Sequence, residues 1–334
     1  MLRNFFVFIA AFGLILNIAF AEETKLEPKL SFSGLIISDM WYSRTEKTKN
    51  ESDIKVTDAQ LNADIELGNK AVGKIIFLFD DTLNQPDEKL SIDEAWVRIT
   101  ATDKLGVTIG KIYLPFGDRS TFLISDQLIL NAAEYSQSAI SADYKLDENF
   151  MFKTFIFNAD KQKYPKVNDH IRDFGASCEY SKDKFFASFS LISNVADKIG
   201  ASIFADSYLN RGTGLDISVK YSFDKFSFIG EYAGSIRKVE YSLNGIANNV
   251  KLNAYNIEAN YQYSEKTSFA LRIEKSTKKD SSVQKEKITN FAFGSSYMLF
   301  QNTTLMAEYL HSWEDIAGAD KDIDTISGRI SFSF

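Results

Sequence analysis

The sequence predicts an all-β fold, a transmembrane antiparallel up-and-down β-barrel of about 16 strands. The clearest sign is the last stretch, residues 323–334, in which apolar and small polar side chains alternate. Phe332 and Phe334 share a face with Ile330, and Arg329 lies on the other, because successive side chains of a strand point to opposite sides. Such a strand suits a barrel with lipid outside and water inside. We therefore expect Phe332 and Phe334 to contact lipid and to act as the signal that the barrel-assembly machinery reads.

A secretory leader is the second observation. Residues 1–21 combine a positive charge at Arg3, an apolar run at 5–16 and a small-x-small site that ends at Ala21. A membrane-spanning helix is the weaker alternative, because the apolar run is short and polar residues follow it at once. The sequence predicts three parts: a signal peptide at 1–21, a short periplasmic segment at 22–29 and an outer-membrane β-barrel at 30–334.

Composition is the third observation, and it also excludes some classes of protein. The 334 residues carry a formal net charge of −7, which argues against nucleic acid as a partner because phosphate binding needs a basic surface. The 28 Phe, 15 Tyr and only 4 Pro suit a chain that is mostly paired strand. Cys178 is the one cysteine of the sequence, so no intramolecular disulfide can form.

Strand-like runs follow one another along the chain, and their connections alternate between short and long. In a barrel, this alternation corresponds to short periplasmic turns and longer extracellular loops. No run keeps the 3.6-residue period of a helix, and a soluble sandwich or propeller is the alternative for such short repeats. The predicted strands are 30–42, 54–67, 72–80, 91–100, 105–113, 135–145, 150–158, 172–180, 185–193, 213–223, 225–233, 252–263, 268–274, 288–299, 303–312 and 323–334. The stretches 234–250, 275–287 and 313–322 are predicted to be loops.

The run 54–67 separates its two faces most clearly, with Leu61 and Ile65 opposite Asp64 and Glu66. Applied to every run, the same alternation predicts which charged side chains face the lumen. These are Asp64, Glu66, Lys74, Glu94, Arg98, Lys220, Glu258, Arg272 and Arg329, with Asp58, Asp80, Glu179, Asp216, Glu231 and Glu308 as further members. Acids outnumber bases in this set, and that balance favours cations in the lumen.

The longest connection, residues 114–133, is too apolar to be disordered, and a loop of this length is usually functional. We expect it to fold into the lumen and narrow it. The alternative is that it packs over the mouth of the barrel or contacts a neighbouring subunit. The residues predicted at this constriction are Lys111, Pro115, Phe116, Gly117, Asp118, Arg119, Ser125 and Asp126.

Catalytic and metal chemistry have little support. His170 and His311 are the two histidines, and an isolated histidine is more often structural than catalytic. No His and Cys residues have the spacing of a metal site, and the acidic residues at 314–322 lack that of a calcium-binding hand. We predict no cofactor, no metal and no enzymatic activity. A barrel lipase that uses His311 is the remaining enzymatic alternative.

Several short motifs resemble the LbtU-type siderophore porin family. They are Gly-Lys-x-Tyr-x-Pro-Phe-Gly at 110–117, Ile-Ser-Asp-x-Leu at 124–128, the stretch 134–139, Phe157-Asn158 with Asp160, and Ser-Asn-x-Ala-Asp at 193–197. The resemblance implies an outer-membrane barrel that admits ferric siderophore without TonB. This sequence departs from the family at its amino terminus, where residues 22–29 leave no room for the coiled-coil extension of other members.

We therefore expect a Gram-negative porin that passes small solutes, with ferric siderophore uptake as its sharper form. The alternatives are a general or substrate-selective porin unrelated to iron, and an adhesin or structural barrel with a closed lumen. The expected partners are outer-membrane lipid and lipopolysaccharide, the barrel-assembly machinery and a small solute. A homotrimer and a monomer are both open alternatives.

Overall fold

The computed structural model describes residues 28–46, 50–79, 90–159, 162–163, 171–196, 207–243, 246–281 and 285–334. The predicted leader, Asp80 and His170 lie outside these residues. The strands are β1 (Lys29–Thr45), β2 (Glu51–Leu67), β3 (Ala71–Phe79), β4 (Leu90–Thr102), β5 (Leu105–Tyr113), β6 (Ser136–Lys145), β7 (Phe150–Phe157), β8 (Gln162–Lys163), β9 (Asp173–Lys182), β10 (Phe185–Ile192), β11 (Ser207–Tyr208), β12 (Gly214–Phe223), β13 (Phe226–Ser235), β14 (Val239–Leu243), β15 (Ile246–Gln262), β16 (Thr267–Asp280), β17 (Glu286–Phe300), β18 (Thr303–Ile316) and β19 (Ala319–Ser333). One short helix, α1 (Leu130–Ala133), lies between β5 and β6.

Sixteen of these strands pair with their neighbours in an antiparallel ring, so the predicted barrel is confirmed. The other three lie outside the ring: β14 pairs with the outer end of β15, and the two-residue strands β8 and β11 pair with each other. Among the described residues, no helix is both long enough and apolar enough to cross a membrane.

The ring closes where the first strand meets the last. β1 and β19 pair from Leu35 with Ser333 to Thr45 with Ile323. Phe334 extends this pairing, since the Gly34 N–H donates to its carbonyl at 2.9 Å and its own N–H donates to the Gly34 carbonyl at 3.1 Å. The Phe334 ring covers Gly34 so closely that a Cβ there would lie 2.2 Å from it. Glycine at position 34 therefore allows the terminal ring to pack on β1.

The outward face of the barrel is apolar and the inward face is polar. Phe32 and Ile257 keep 63% and 68% of their surface exposed in the isolated chain, whereas Asp216, Asn256 and Glu258 on the inward face are fully buried. Apolar residues outside and polar residues inside are the reverse of the arrangement in a soluble protein. This arrangement is expected of strands that contact lipid on one side.

Three predicted loops are wrong, because each of them contains strand. β14 and the start of β15 form a hairpin within 234–250, β16 and β17 extend into 275–287, and β18 and β19 extend through 313–322 to a tight turn at Ala317 and Gly318. Both turn residues have positive φ, 57° and 78°, as a type I′ hairpin turn requires. These hairpins lack the outward-facing apolar residues that mark a spanning strand. In the β14–β15 hairpin the apolar side chains lie on the inward side instead, where Val239, Tyr241 and Val250 are fully buried.

Candidate functional site

Residues 114–133, here called the inner loop, run from the end of β5 across the interior of the barrel. They hydrogen-bond to side chains of β12, β13, β15, β16 and β18. All these side chains share the face opposite the exposed apolar residues. Because the ring is closed, a loop that contacts this face on so many strands lies inside the barrel. Its sequence gave no signal for α1, the single helical turn near its end.

The first part of the inner loop is held by apolar packing. Phe116 is 2% exposed, and its ring packs edge-on against Tyr135 with 5.7 Å between centroids. The next residue, Gly117, has φ +86°, and a Cβ there would lie 2.4 Å from the Cβ of Ala133. Only glycine fits this left-handed position without strain. Pro115 is half-buried beside Phe116.

The second part is held by wall carboxylates, which accept hydrogen bonds from the loop's backbone. Glu231 accepts from the N–H of Asp118 at 2.7 Å, and Glu274 accepts from that of Leu128 at 2.7 Å. Glu258 and Glu308 act in the same way between these two points. Their donors are the N–H of Phe122 and the Thr121 hydroxyl for Glu258, and the N–H groups of Ile124 and Ser125 for Glu308.

Arg272 of β16 lies at the centre of these contacts. Its guanidinium donates to the Ser125 carbonyl at 2.8 Å and to the Ser125 hydroxyl at 2.5 Å. It also lies 3.8 Å from a carboxylate oxygen of Glu258 and 3.5 Å from one of Glu274, and all three side chains are fully buried. One buried cation thus bridges two wall glutamates and the loop, which is the pairing that buried charge requires.

Asp118 attaches the loop to β12. Its carboxylate lies 2.5 Å from the ammonium of Lys220 and accepts from the Ser218 hydroxyl at 3.3 Å. Burial alone would raise the pKa of Asp118, but the hydrogen bonds from Lys220 and Ser120 outweigh it and lower that pKa below its ordinary value.

Four residues of the loop form an exposed edge. Arg119 and Asp126 are both exposed there, together with Ser120 and Thr121. The Arg119 guanidinium lies over the ring of Tyr113, 3.4 Å from its centroid. This exposed edge therefore carries one cation and one carboxylate.

Lys111 was predicted at the constriction, but it belongs to the barrel wall. Its ammonium donates to the carbonyl oxygen of Ile92 at 2.6 Å, which joins β5 to β4. It lies in β5 two residues from Ile109, whose side chain is exposed on the outward face. Residues 116–119, 125 and 126 lie in the inner loop, as their positions in the sequence required.

Several of the predicted lumen charges form pairs with other side chains of the wall. Arg329 of β19, the strand next to β18, makes a bidentate pair with Asp39 at 2.7 Å, and Arg98 makes another with Asp143. Further pairs are Asp64 with Lys74 at 3.5 Å, Glu66 with Lys29 at 3.6 Å, Glu179 with Lys153 at 2.5 Å and Glu94 with the indole N–H of Trp96 at 2.8 Å. The excess of acids over bases is thus no guide to the field in the lumen, because Glu231, Glu258, Glu274 and Glu308 bind the loop.

Sequence reasoning missed three members of the site. Glu274 was not placed on the inward face, although it lies two residues from Arg272 and therefore on the same side of β16. Thr121 and Gln127 also escaped notice. Gln127 is 2% exposed, and its amide donates to the Ser120 carbonyl at 2.7 Å, which closes the loop on itself.

His311 has a structural environment. Its Nδ1 lies 2.7 Å from Asp324, and its ring packs against Trp313 with 4.2 Å between centroids. These contacts lie on the outward face, since Tyr309 and Trp313 of the same strand are exposed there. Among the described residues, no group of three His, Cys, Asp or Glu could hold a metal ion.

A closed 16-stranded barrel with a long loop folded inside it defines a channel of the outer-membrane porin class. The sequence model of the Gram-negative porin family matches residues 17–316, and the chain belongs to that family. The protein is thus an outer-membrane channel for solutes in a Gram-negative bacterium. No curated protein sequence matches this chain.

Solved structures are similar across nearly the whole chain. The outer membrane channel DcaP of Acinetobacter baumannii has a TM-score of 0.73 at 13% identity, over 94% of this chain and 99% of its own. The anion-selective porin of Comamonas acidovorans has a TM-score of 0.67 at 13% identity, over 92% of this chain and 100% of its own. The trimer form of OmpT, an outer membrane protein of Vibrio cholerae, has a TM-score of 0.65 at 11% identity, over 92% of this chain and 99% of its own. At these identities the likeness shows the fold alone.

Proposed function

We propose that the protein is a passive porin in which the inner loop forms the constriction. The observation that carries this proposal is the attachment of the loop to carboxylates of β13, β15, β16 and β18 by its own backbone N–H groups. A loop held in this way obstructs one side of the lumen and leaves a passage along its exposed edge, which Arg119 and Asp126 line. A solute then meets both signs of charge at the narrowest point.

Deletion of residues 116–130 tests this role. The deletion is compatible with the barrel because Tyr113 of β5 and Ser136 of β6 are direct cross-strand partners. A short connection can therefore join the two strands. Single-channel recording in planar bilayers should show a conductance several-fold larger than that of the intact protein. Heat-modifiable migration in gels verifies that the variant has folded. A folded variant with the conductance of the intact channel would reject the constriction, and an intact protein with no conductance would favour the closed adhesin or structural barrel.

Ferric siderophore is the solute class that we propose for this channel. The support is the resemblance of residues 110–117, 124–128 and 193–197 to the LbtU-type siderophore porins. A strain that lacks the protein should take up ferric siderophore more slowly in a TonB-deficient background, and uptake should return with the intact gene. Unchanged uptake in the deletion strain would leave a general or substrate-selective porin unrelated to iron.

Assembly is the remaining part of the proposal. We propose that residues 1–21 are removed on export, that Phe332 and Phe334 are read by the barrel-assembly machinery, and that three copies associate. Amino-terminal sequencing of the protein from membranes tests the cleavage. Replacing Phe334 by Ala should lower the amount of folded barrel in the membrane, and native mass spectrometry of the purified protein gives the number of copies.

A further inference from the structure

The outward face of β15, β16 and β17 carries a group of four lysines, here called the lysine patch. Its members are Lys251, Lys275, Lys279 and Lys287. Their alignment follows from the register: Lys251 is the direct partner of Lys279 across β15 and β16, and Lys287 is the partner of Thr277 between Lys275 and Lys279. The patch therefore spans three adjacent strands.

The register also shows that the lysine patch faces outward. Lys275 and Lys279 continue the odd-numbered face of β16 that exposes Leu271 and Ile273, and no β-bulge interrupts the pairing on either side. Lys275 and Lys279 are exposed, and Lys251 and Lys287 are half-buried. In the part of the chain that the structure describes, no carboxylate forms a salt bridge with any of the four ammonium groups.

The patch lies at the outer end of the lipid-facing surface. β15, β16 and β17 contain 17, 14 and 15 residues, more than the about 9–11 that a strand needs to cross a bilayer. Lys275 follows the lipid-facing Ile273 by two residues and pairs in register with Tyr255, whose ring contacts Tyr232 with 5.0 Å between centroids. Paired tyrosines at the end of an apolar band mark the membrane interface. Lys251, Lys279 and Lys287 lie beyond that level, toward the long extracellular connections.

The neighbouring strands limit the patch to one sector. The outward positions of β18 and β19 at the same level carry Asp315, Asp320, Asp322 and Asp324, with Asp315 the direct partner of Lys287. A chain with net charge −7 thus concentrates four lysines in one sector, at the height of lipid headgroups. Clustered lysines at a membrane surface attract anionic headgroups, and the effect adds with each side chain.

We propose that the lysine patch binds the phosphorylated headgroup of an outer-leaflet lipid, with the phosphates on Lys251, Lys275, Lys279 and Lys287 and the acyl chains along Ile257, Ile273 and Phe293. The outer leaflet of a Gram-negative outer membrane consists largely of lipopolysaccharide, whose lipid anchor bears phosphates at this depth. The lysine patch is thus assigned to lipopolysaccharide, and this assignment does not depend on which solute the channel passes.

The test measures binding of purified lipopolysaccharide to the detergent-solubilised protein by native mass spectrometry and titration. In the test variant, Lys251, Lys275, Lys279 and Lys287 are all replaced by Gln. The matched control replaces Lys104, Lys145, Lys182 and Lys225 by Gln, which removes the same charge at the periplasmic end. We expect the patch variant to bind about tenfold or more weakly and the control to bind as the wild type does. Enzymatically dephosphorylated lipopolysaccharide should bind the wild type as weakly as intact lipopolysaccharide binds the patch variant.

Three outcomes would overturn the proposal. They are equal binding by the patch variant and the wild type, equal binding of phosphorylated and dephosphorylated lipopolysaccharide, and binding of inorganic phosphate as tight as that of the lipid. Heat-modifiable migration shows whether the fourfold variant has folded. If it has not, the double variant Lys275→Gln with Lys279→Gln, at the two exposed positions, should still bind several-fold more weakly than the wild type, and unchanged binding would overturn the proposal equally.

Discussion

The two walls of the lumen use the same kind of residue in different ways. On the wall that holds the inner loop, Arg272, Glu258 and Glu274 are completely buried. On the opposite wall, Lys74 and Asp64 keep 32% and 28% of their side chains exposed and form a salt bridge with each other. Both walls show the same inward polar pattern in the sequence. Charges on one wall fix a loop, and charges on the other meet the water of the channel.

This difference limits what a count of inward charges can say. A carboxylate that accepts hydrogen bonds from backbone N–H groups has its negative charge balanced locally by these donors. It therefore contributes little to the electric field that a solute meets. Ion selectivity then depends on the exposed edge of the loop, and on Arg119 and Asp126 in particular.

The largest effect is expected from Arg272→Met. The change leaves Glu258 and Glu274 buried without their cation, and losing one partner of a buried ion pair costs about 3–5 kcal/mol. The loop should detach, so that the channel becomes noisier and the unfolding temperature, followed by heat-modifiable migration, falls. Lys74→Met is the matched change on the exposed wall and should cost no more than about 1 kcal/mol. Equal losses from the two variants would show that the walls do not differ as described.

Gly117→Ala comes next. At φ +86°, an alanine costs about 1–3 kcal/mol in backbone strain, and its Cβ would also collide with Ala133. The start of the inner loop should shift, and single-channel conductance should change with it. Gly230→Ala is the control, because a Cβ at that position meets nothing within 4 Å. A Gly117→Ala channel identical to the control would mean that this turn does not position the loop.

Glu308→Gln tests a single attachment point of the inner loop. The carboxylate accepts from the N–H groups of Ile124 and Ser125, and a neutral amide should weaken this attachment by about 1–2 kcal/mol. Glu179→Gln removes a wall carboxylate whose partner is Lys153 and should cost less than about 1 kcal/mol. Thermal unfolding of both variants compares the two, and a larger loss at Glu179 would contradict the assignment of the buried wall.

The smallest effect concerns pH. The pKa of Asp118 is lowered in the folded protein, so its ion pair with Lys220 stabilises the fold above the ordinary value of 3.8 and is lost as the pH falls through the lowered value. The difference in thermal midpoint between wild type and Asp118→Asn should be constant near neutral pH and shrink below 3.8. A difference that grows as the pH falls would mean that the sign of this pKa shift is wrong.

Much of the fold could be predicted from the sequence, because alternation of apolar and polar residues is a local property of each spanning strand. The ends of β5 were predicted to the residue, whereas the outer hairpin of β14 and β15 was missed because its apolar residues are buried on the inward side and do not face lipid. The length and apolar composition of the inner loop also predicted that it folds into the lumen. Its partners could not be predicted, since Leu128 meets Glu274 only when the ring is closed and the loop has crossed it.

The exposed edge of the inner loop offers the most direct test of the account. Asp126→Cys, in a background where Cys178 is replaced by Ser, introduces a single thiol at that edge. A charged thiol reagent should lower the single-channel conductance of this variant and change its ion selectivity, whereas Ile257→Cys in the same background, on the lipid-facing side, should not respond. Modification of Asp126→Cys, verified by mass spectrometry, with no change in conductance would contradict the placement of this loop edge in the conduction path.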